Sequence, residues 1–508
     1  MTTPRTPQPS VFEPVVFVTA VALAVLGVVI GLELLTRVGV TPSTSVIGAM
    51  LAIALSRIPL QAVRSLRDVH RQNLLQTVIS SATFGGANAV FLPIGITWLV
   101  GRPDLLPAMF IGVVLAMVID ASVLYWLYDS PAYPASGAWP VGVATAECLV
   151  AGDQGGQRAT LLAAGGAAGV VGQFFGVPMD VVGVCWIGNV AALTMFGIGL
   201  LVRAYARPLL GVDVQALHVP HGVMVGAGLI AVTQIAFALG RRGSTRAAGA
   251  TGDWTRFQRG IGGGFGLYVA AACLMAVLGG LTSDLSASRL LLFVLFAAFA
   301  ALVHDLVVGI SAMHAGWFPA FATALIFLVL GMLIGFPPAP LALLVGFTAS
   351  TGPAFADLGY DFKTGWIIRG EGADPELERD GRRQQFIAAM LGFLVAAGFV
   401  WLVHGRYFAN DLLPPADRVY AATIAAGTSP TMLRDLLLWA VPGAIVQLIG
   451  GSSRQIGVLF ATGLLIDNGM AGWTALAALA VRVMLERRLG ADGQSRMHVL
   501  AGGFLAGS

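Results

Sequence analysis

The chain has 508 residues, of which 57% are hydrophobic and only 11% charged, with a mean hydropathy of +0.82. A soluble domain carries about 25% charged residues, so this composition excludes a soluble globular protein and reads as an all-α polytopic membrane protein. The net charge of +3 comes from arginines scattered through short connecting stretches, with no basic stripe interleaved with aromatics. That leaves the lipid bilayer as a partner and excludes nucleic acid.

In chain order, the stretch "MTTPRTPQPSVFEP" carries one arginine and leads into an apolar run with no small-residue cleavage pattern, so the run is expected to be a retained first span. Apolar runs predict crossings near 14–34, 43–60, 75–100, 104–127, 159–175, 181–202 and 219–240, then near 261–282, 289–312, 317–335, 338–354, 386–404, 434–450 and 455–486. Two shorter segments, 139–152 and 417–427, are bounded by prolines, glycines or charges. The positive-inside rule decides them. Arg57, Arg64, Arg67 and Arg71 mark one cytoplasmic loop, and Arg241, Arg242, Arg246, Arg256 and Arg259 mark another, so an even number of crossings separates them and 139–152 must cross. The same parity between a polar loop at 361–383 and a basic tail with Arg482, Arg487, Arg488 and Arg496 requires 417–427 to cross, with 455–486 as one broken helix.

The expectation is therefore about 16 spans in two halves of eight: an N-terminal half over 1–240, a cytoplasmic loop over 241–260 and a C-terminal half over 261–508, with both termini cytoplasmic. Segments of 11 to 14 residues are too short, at about 1.5 Å per residue, to cover a hydrocarbon core of about 30 Å. Their ends must be non-helical, and irregular backbone at membrane depth is tolerated where it lines a cavity.

Intramembrane polar residues mark the candidate site. In "PAYPASGAWPVGVATAECL", prolines interrupt the helix, Tyr133, Ser136 and Gly137 stand at exposed backbone, and Glu147 places a carboxylate in an apolar segment. Such a carboxylate carries a substrate or a proton, or pairs with a neighbouring helix. His304 and Asp305 are adjacent in "LVHDLVVG" and face different sides of a helix, one able to pair across helices and the other to line a proton path. Asp120 in "MVIDASVLYW" is similar but lies closer to one end of its span. Asn88, Gln173, Asn189 and Gln447 are intramembrane amides, suited to bonding helices together or to touching substrate. "GGAAGVVGQFFG" at 165–176 holds overlapping small-xxx-small patterns for close helix approach.

Several chemistries find no support. His218 and His221 lack a third ligand nearby, and Cys148, Cys185 and Cys273 lie in apolar segments without metal spacing, so no metal is expected. "GIGGGFG" at 260–266 follows no strand, and the only lysine is Lys363, so no Walker motif exists and no cofactor is expected. "KTG" at 363–365 has no S-x-x-K to accompany it, and there is neither GxSxG nor HExxH, so the chain is not expected to be an enzyme.

"DFKTGWIIRG" at 361–370, followed by "RRQQF" at 382–386, resembles the Asp-x-Lys-Thr-Gly then Arg-x-Gln-Gln pattern of the oligopeptide transporter (OPT) superfamily, which includes the yellow-stripe-like metal-chelate carriers. The matching positions are Asp361, Lys363, Thr364, Gly365, Arg383, Gln384 and Gln385. "NLLQTVISSA" at 73–82, "YPASGAWPVGVATAECLVAG" and "HVPHGVMVGAGLI" resemble further segments of that superfamily, in the expected order. Trp139 and Pro140 interrupt the second of these, and the acidic insert "EGADPELERD" lengthens the lead-in to the glutamines. The resemblance implies sixteen spans and a secondary active transporter, coupled to protons, for small oligopeptides or peptide-like metal chelates. The alternative is a carrier or channel for an amino acid, nucleobase or ion on a similar scaffold. Nothing in the sequence sets an oligomeric state. Because arginine serves every other loop, Lys363 is expected to make a contact that suits a compact ammonium, to backbone carbonyls at a helix end or to Asp361.

Overall fold

The computed structural model describes residues 8–37, 44–59, 61–241, 254–316, 318, 320–427 and 430–508. Most of the expected 241–260 loop, including Arg242 and Arg246, lies outside the described residues. The chain opens with α1 (Pro14–Arg37) and α2 (Thr44–Ser56), and α3 (Val69–Phe84) passes through a π-helical segment, Gly85–Phe91, directly into α4 (Leu92–Leu99). Then come α5 (Leu106–Leu127), α6 (Pro140–Gln154), α7 (Gly156–Phe174), α8 (Met179–Ile187), α9 (Val190–Leu210) and α10 (Val219–Arg241). The second part holds α11 (Trp254–Leu278), the short α12 (Leu281–Asp284), α13 (Ala287–Ala315), α14 (Ala320–Ile334), α15 (Pro338–Ser350), α16 (Pro353–Ile368) and α17 (Pro375–Ala409). It ends with α18 (Pro415–Ala426), α19 (Pro430–Arg454), α20 (Ile456–Leu465) and α21 (Gly469–Gly507).

Seven of these helices begin on a proline, where the missing N–H is one of those a helix leaves unpaired and the fixed φ suits the first turn. Among the described residues no strand forms, and nine helical runs are long and apolar enough to cross a bilayer, with four shorter apolar helices besides. The molecule is an all-α polytopic membrane protein. The two short segments are helices of 15 and 12 residues, α6 and α18.

Two expectations fail. Residues 361–383 are not a polar connecting loop: 353–368 form α16, buried from Pro353 to Gly365, and the true connection is the few residues before α17. Composition misled because α16 carries Asp357, Asp361 and Lys363, and these meet α2, α3 and the loop before α6 instead of water. Arg482 is likewise not part of a basic tail. It lies buried on α21 and donates from Nη1 to the carbonyls of Cys185 (3.0 Å) and Gly188 (2.6 Å), capping the C-terminal end of α8.

One core gathers α1 to α5 with α11 and α13 to α18, and a second gathers α8, α9 and α10 with α20 and α21, so each draws on both the earlier and the later helices of the chain. A smaller apolar junction of α2, α6, α8 and α21 lies between them. The small-residue pattern on α7 does what its spacing suggested: an added Cβ at Gly165 would lie 2.6 Å from the Leu500 carbonyl oxygen of α21. Gln447 also acts as a helix tie, donating to Gln234 and Gln455 and accepting from the N–H groups of Gly457 and Val458.

Candidate functional site

The site grows from the break between α15 and α16. Thr351 and Gly352 separate the two helices, and Gly352 stands at φ +82°, a conformation that disfavours any side chain. A Cβ there would also lie 2.9 Å from two atoms of the His304 ring. His304 is buried on α13: Nε2 lies 2.9 Å from the Ala320 carbonyl, so it carries the proton and donates, and Nδ1 lies 3.2 Å from the Thr351 hydroxyl. The imidazole thus ties α13 to the start of α14 and to the helix break.

Asp305, on the other side of α13, accepts a hydrogen bond from the Tyr268 hydroxyl on α11 and faces Asp120 on α5. Asp120 Oδ2 accepts from the Phe355 N–H at 3.0 Å, at the N-terminus of α16. A helix N-terminus carries partial positive charge and unpaired N–H groups, so it suits a carboxylate. The sequence separated His304 and Asp305 by face, and they do have different partners; Asp120 joins Asp305 as one pair.

Further along α16, Asp357 and Asp361 stand one turn apart, both fully buried. Asp357 accepts from Ser80 on α3, and Asp361 accepts from Gln76 on α3 and from Ser45 on α2 at 3.3 Å. The second carboxyl oxygen of each has no partner among the described residues, and no Lys or Arg side chain there pairs with any of these four aspartates. A pair of facing carboxyls without a cation can hold a proton between them and pass it on.

The remaining motif residues pack α16 in place. Lys363 Nζ donates to the Ala135 carbonyl at 2.9 Å and sits 4.2 Å from the Trp366 ring centre. A carbonyl partner was expected, but this one belongs to the loop before α6, and Asp361 is not involved. The Thr364 hydroxyl lies 3.0 Å from the Gly142 carbonyl of α6 and 2.9 Å from that of Tyr360. Gly365 leaves room for Gln385 Oε1 and Arg369 Nη1, which a Cβ would overlap. Gln385 donates to the Asp361 carbonyl at 2.6 Å and to Thr77 at 3.3 Å, while Arg369 forms a bidentate pair with Glu378. Arg383 is exposed, Gln384 is half-buried, and the buried arginine of α17 is Arg382, which reaches the Tyr128 carbonyl.

The other candidates are spread out. Tyr133 is buried and donates to the Leu306 carbonyl of α13 at 2.9 Å, beside the break. Ser136 is exposed on the same loop, and Gly137 is packed against Met313. Glu147 lies 3.9 Å from Arg158 on α7, Asn189 caps the N-terminus of α9, and Asn88 sits on the π-helical segment. Gln173 is exposed and accepts from the Met179 N–H, remote from the aspartates.

Sequence reasoning missed Tyr268, Ser45 and the Arg369–Glu378 pair. A signal for the α3 side did exist: the Gln, Thr and Ser of "QTVIS" are Gln76, Thr77 and Ser80, all three of which meet α16 or α17. The family model described as "OPT oligopeptide transporter protein" matches residues 264–508, from α11 through α21. No curated protein matches the chain.

Proposed function

Through residues 264–508 the chain belongs to the OPT superfamily of oligopeptide transporters, and on that premise we propose that it is a secondary active transporter that couples proton movement to the passage of small oligopeptides or peptide-like metal chelates across the cell membrane. The observation that carries the coupling is the set of four buried aspartates around α16, which no basic side chain among the described residues neutralises. Charged groups inside a membrane protein are costly, and where they persist they mark ion and proton paths. A broken helix pair supplies the second element, because the α15–α16 break gives backbone groups that a rocking movement can open or close. On this reading the halves over 1–240 and 261–508 have eight spans each and both termini face the cytoplasm.

The test is uptake of di- to tetrapeptides into proteoliposomes under an imposed pH gradient. Accumulation should follow the gradient, and Asp305→Asn should retain peptide binding while losing gradient-driven accumulation. No accumulation of any peptide or chelate above liposomes lacking the protein would end the peptide reading. Flux indifferent to the gradient would end the coupling.

A further inference from the structure

A groove of about 570 Å³ runs along the outside of α9 and α21, a volume within the range of about 300–1,000 Å³ typical of ligand sites. Its walls are Val190 and Thr194 on α9 and Leu476, Leu479, Val483 and Met484 on α21. At one end stand Arg487 and Arg488, both exposed. Among the described residues neither is paired with an acid: the nearby Glu486 is bound to Arg482 instead, at 2.8 Å.

The two helices are antiparallel here. Gly469 packs against Ala204, Gly472 against Leu201 and Gly197 against Leu476, so Val190 lies level with the end of the groove that carries the arginines. Along α21 the apolar residues that wall the groove give way to Glu486, Arg487 and Arg488, while the helix continues to Gly507; α9 begins at Val190. Both guanidiniums therefore stand at the polar end of an otherwise apolar groove, the pattern of a side chain that meets lipid headgroups.

We infer that this groove holds an anionic phospholipid, with an acyl chain along the α9–α21 walls and its phosphate on Arg487 and Arg488. The walls decide between a lipid and a peptide. A peptide brings an amide N–H and C=O at each residue, and each needs a partner when buried. The one wall hydroxyl, Thr194, already donates to the Val190 carbonyl at 2.8 Å. An acyl chain asks for no partner. At the mouth, planar guanidiniums match phosphate oxygens in bidentate fashion, and two exposed positive charges side by side favour a lipid of net negative charge over a zwitterionic one.

The experiment uses the purified full chain reconstituted in phosphatidylcholine vesicles with and without phosphatidylglycerol, reading the thermal midpoint and the phosphatidylglycerol that co-purifies. Wild type should melt higher with phosphatidylglycerol and retain it selectively. Arg487→Gln with Arg488→Gln, at exposed positions that leave folding intact, should abolish that shift and lower the preference over phosphatidylcholine by about thirtyfold, the combined effect of two surface cation contacts. Ala480→Trp, which fills the groove while keeping both charges, should also lower retention. The inference is overturned if the double variant keeps the phosphatidylglycerol shift, or if wild type shows none. It is equally overturned if the double variant loses peptide affinity with its lipid preference unchanged, since the groove would then be a substrate vestibule.

Discussion

Gly365→Ala tests whether the motif helix is held by close contact with α17. An alanine in a helix interior is favoured over glycine by about 1 kcal/mol, so an unconstrained site would be stabilised. At this position a Cβ would overlap Gln385 Oε1 and Arg369 Nη1, the two ends of a 2.8 Å hydrogen bond. Both side chains are buried, and Arg369 is also held by Glu378, so neither can swing into water. Breaking a hydrogen bond to a charged group costs about 1.5–3 kcal/mol, and forcing an extra methyl into a packed core costs about 1–3 kcal/mol. After the helix gain is subtracted, the net loss is about 1.5–5 kcal/mol, and the thermal midpoint of the purified protein should fall. Gln385→Ala removes one of the two obstructing groups, so Gly365→Ala should cost less in that background, with a coupling of about 0.5–3 kcal/mol. If Gly365→Ala melts at or above wild type, α16 does not depend on this contact and the packing account of the motif is wrong.

Two further outcomes follow from single contacts. Lys363→Arg should lower transport more than Arg242→Lys does, because a planar guanidinium cannot keep both the 2.9 Å bond to the Ala135 carbonyl and the seat over Trp366; equal and mild effects in uptake assays would make Lys363 an ordinary topological anchor. Glu13, just before α1, accepts from Arg71 at 2.8 Å, and that hydrogen bond holds its carboxyl below the ordinary range. A depressed folded value means the contribution is present above the unfolded value of about 4.3 and is lost as pH falls through the folded one. The melting advantage of wild type over Glu13→Gln should therefore be small at neutral pH and close on acidification. A gap that ignores pH would assign the effect to something other than the ion pair.

The polytopic helical class was legible from composition, since few charges and long apolar runs have no other stable arrangement. The residues of the site were partly legible for the same reason: His304, Asp305 and Asp120 stand out because polar groups inside apolar sequence need partners. What the sequence hid was direction. Asp357, Asp361 and Lys363 look like a polar loop when counted along the chain, and they become a buried helix once Ser80, Gln76 and the Ala135 carbonyl are brought against them from far away. Arg482 was misread by the same mechanism, because a count of positive charges cannot distinguish a cytoplasmic arginine from one that caps another helix. Periodicity gave no help, since α16 is covered on every side and shows no single polar face.

The motif segments also acquire a common cause. "QTVIS" on α3, the Asp-x-Lys-Thr-Gly run on α16 and the second glutamine of "RRQQF" on α17 lie far apart in sequence, yet they are the sides of one junction. Gln385 alone bonds to Thr77, to the Asp361 backbone and to Arg369. Buried polar networks of this kind are costly when incomplete, so their members are constrained together. These segments therefore describe the scaffold that sets Asp357 and Asp361 on α16. We propose that substrate choice resides outside this scaffold, with the exposed Ser136, on the loop that Lys363 anchors through the Ala135 carbonyl, as one contact open to a ligand.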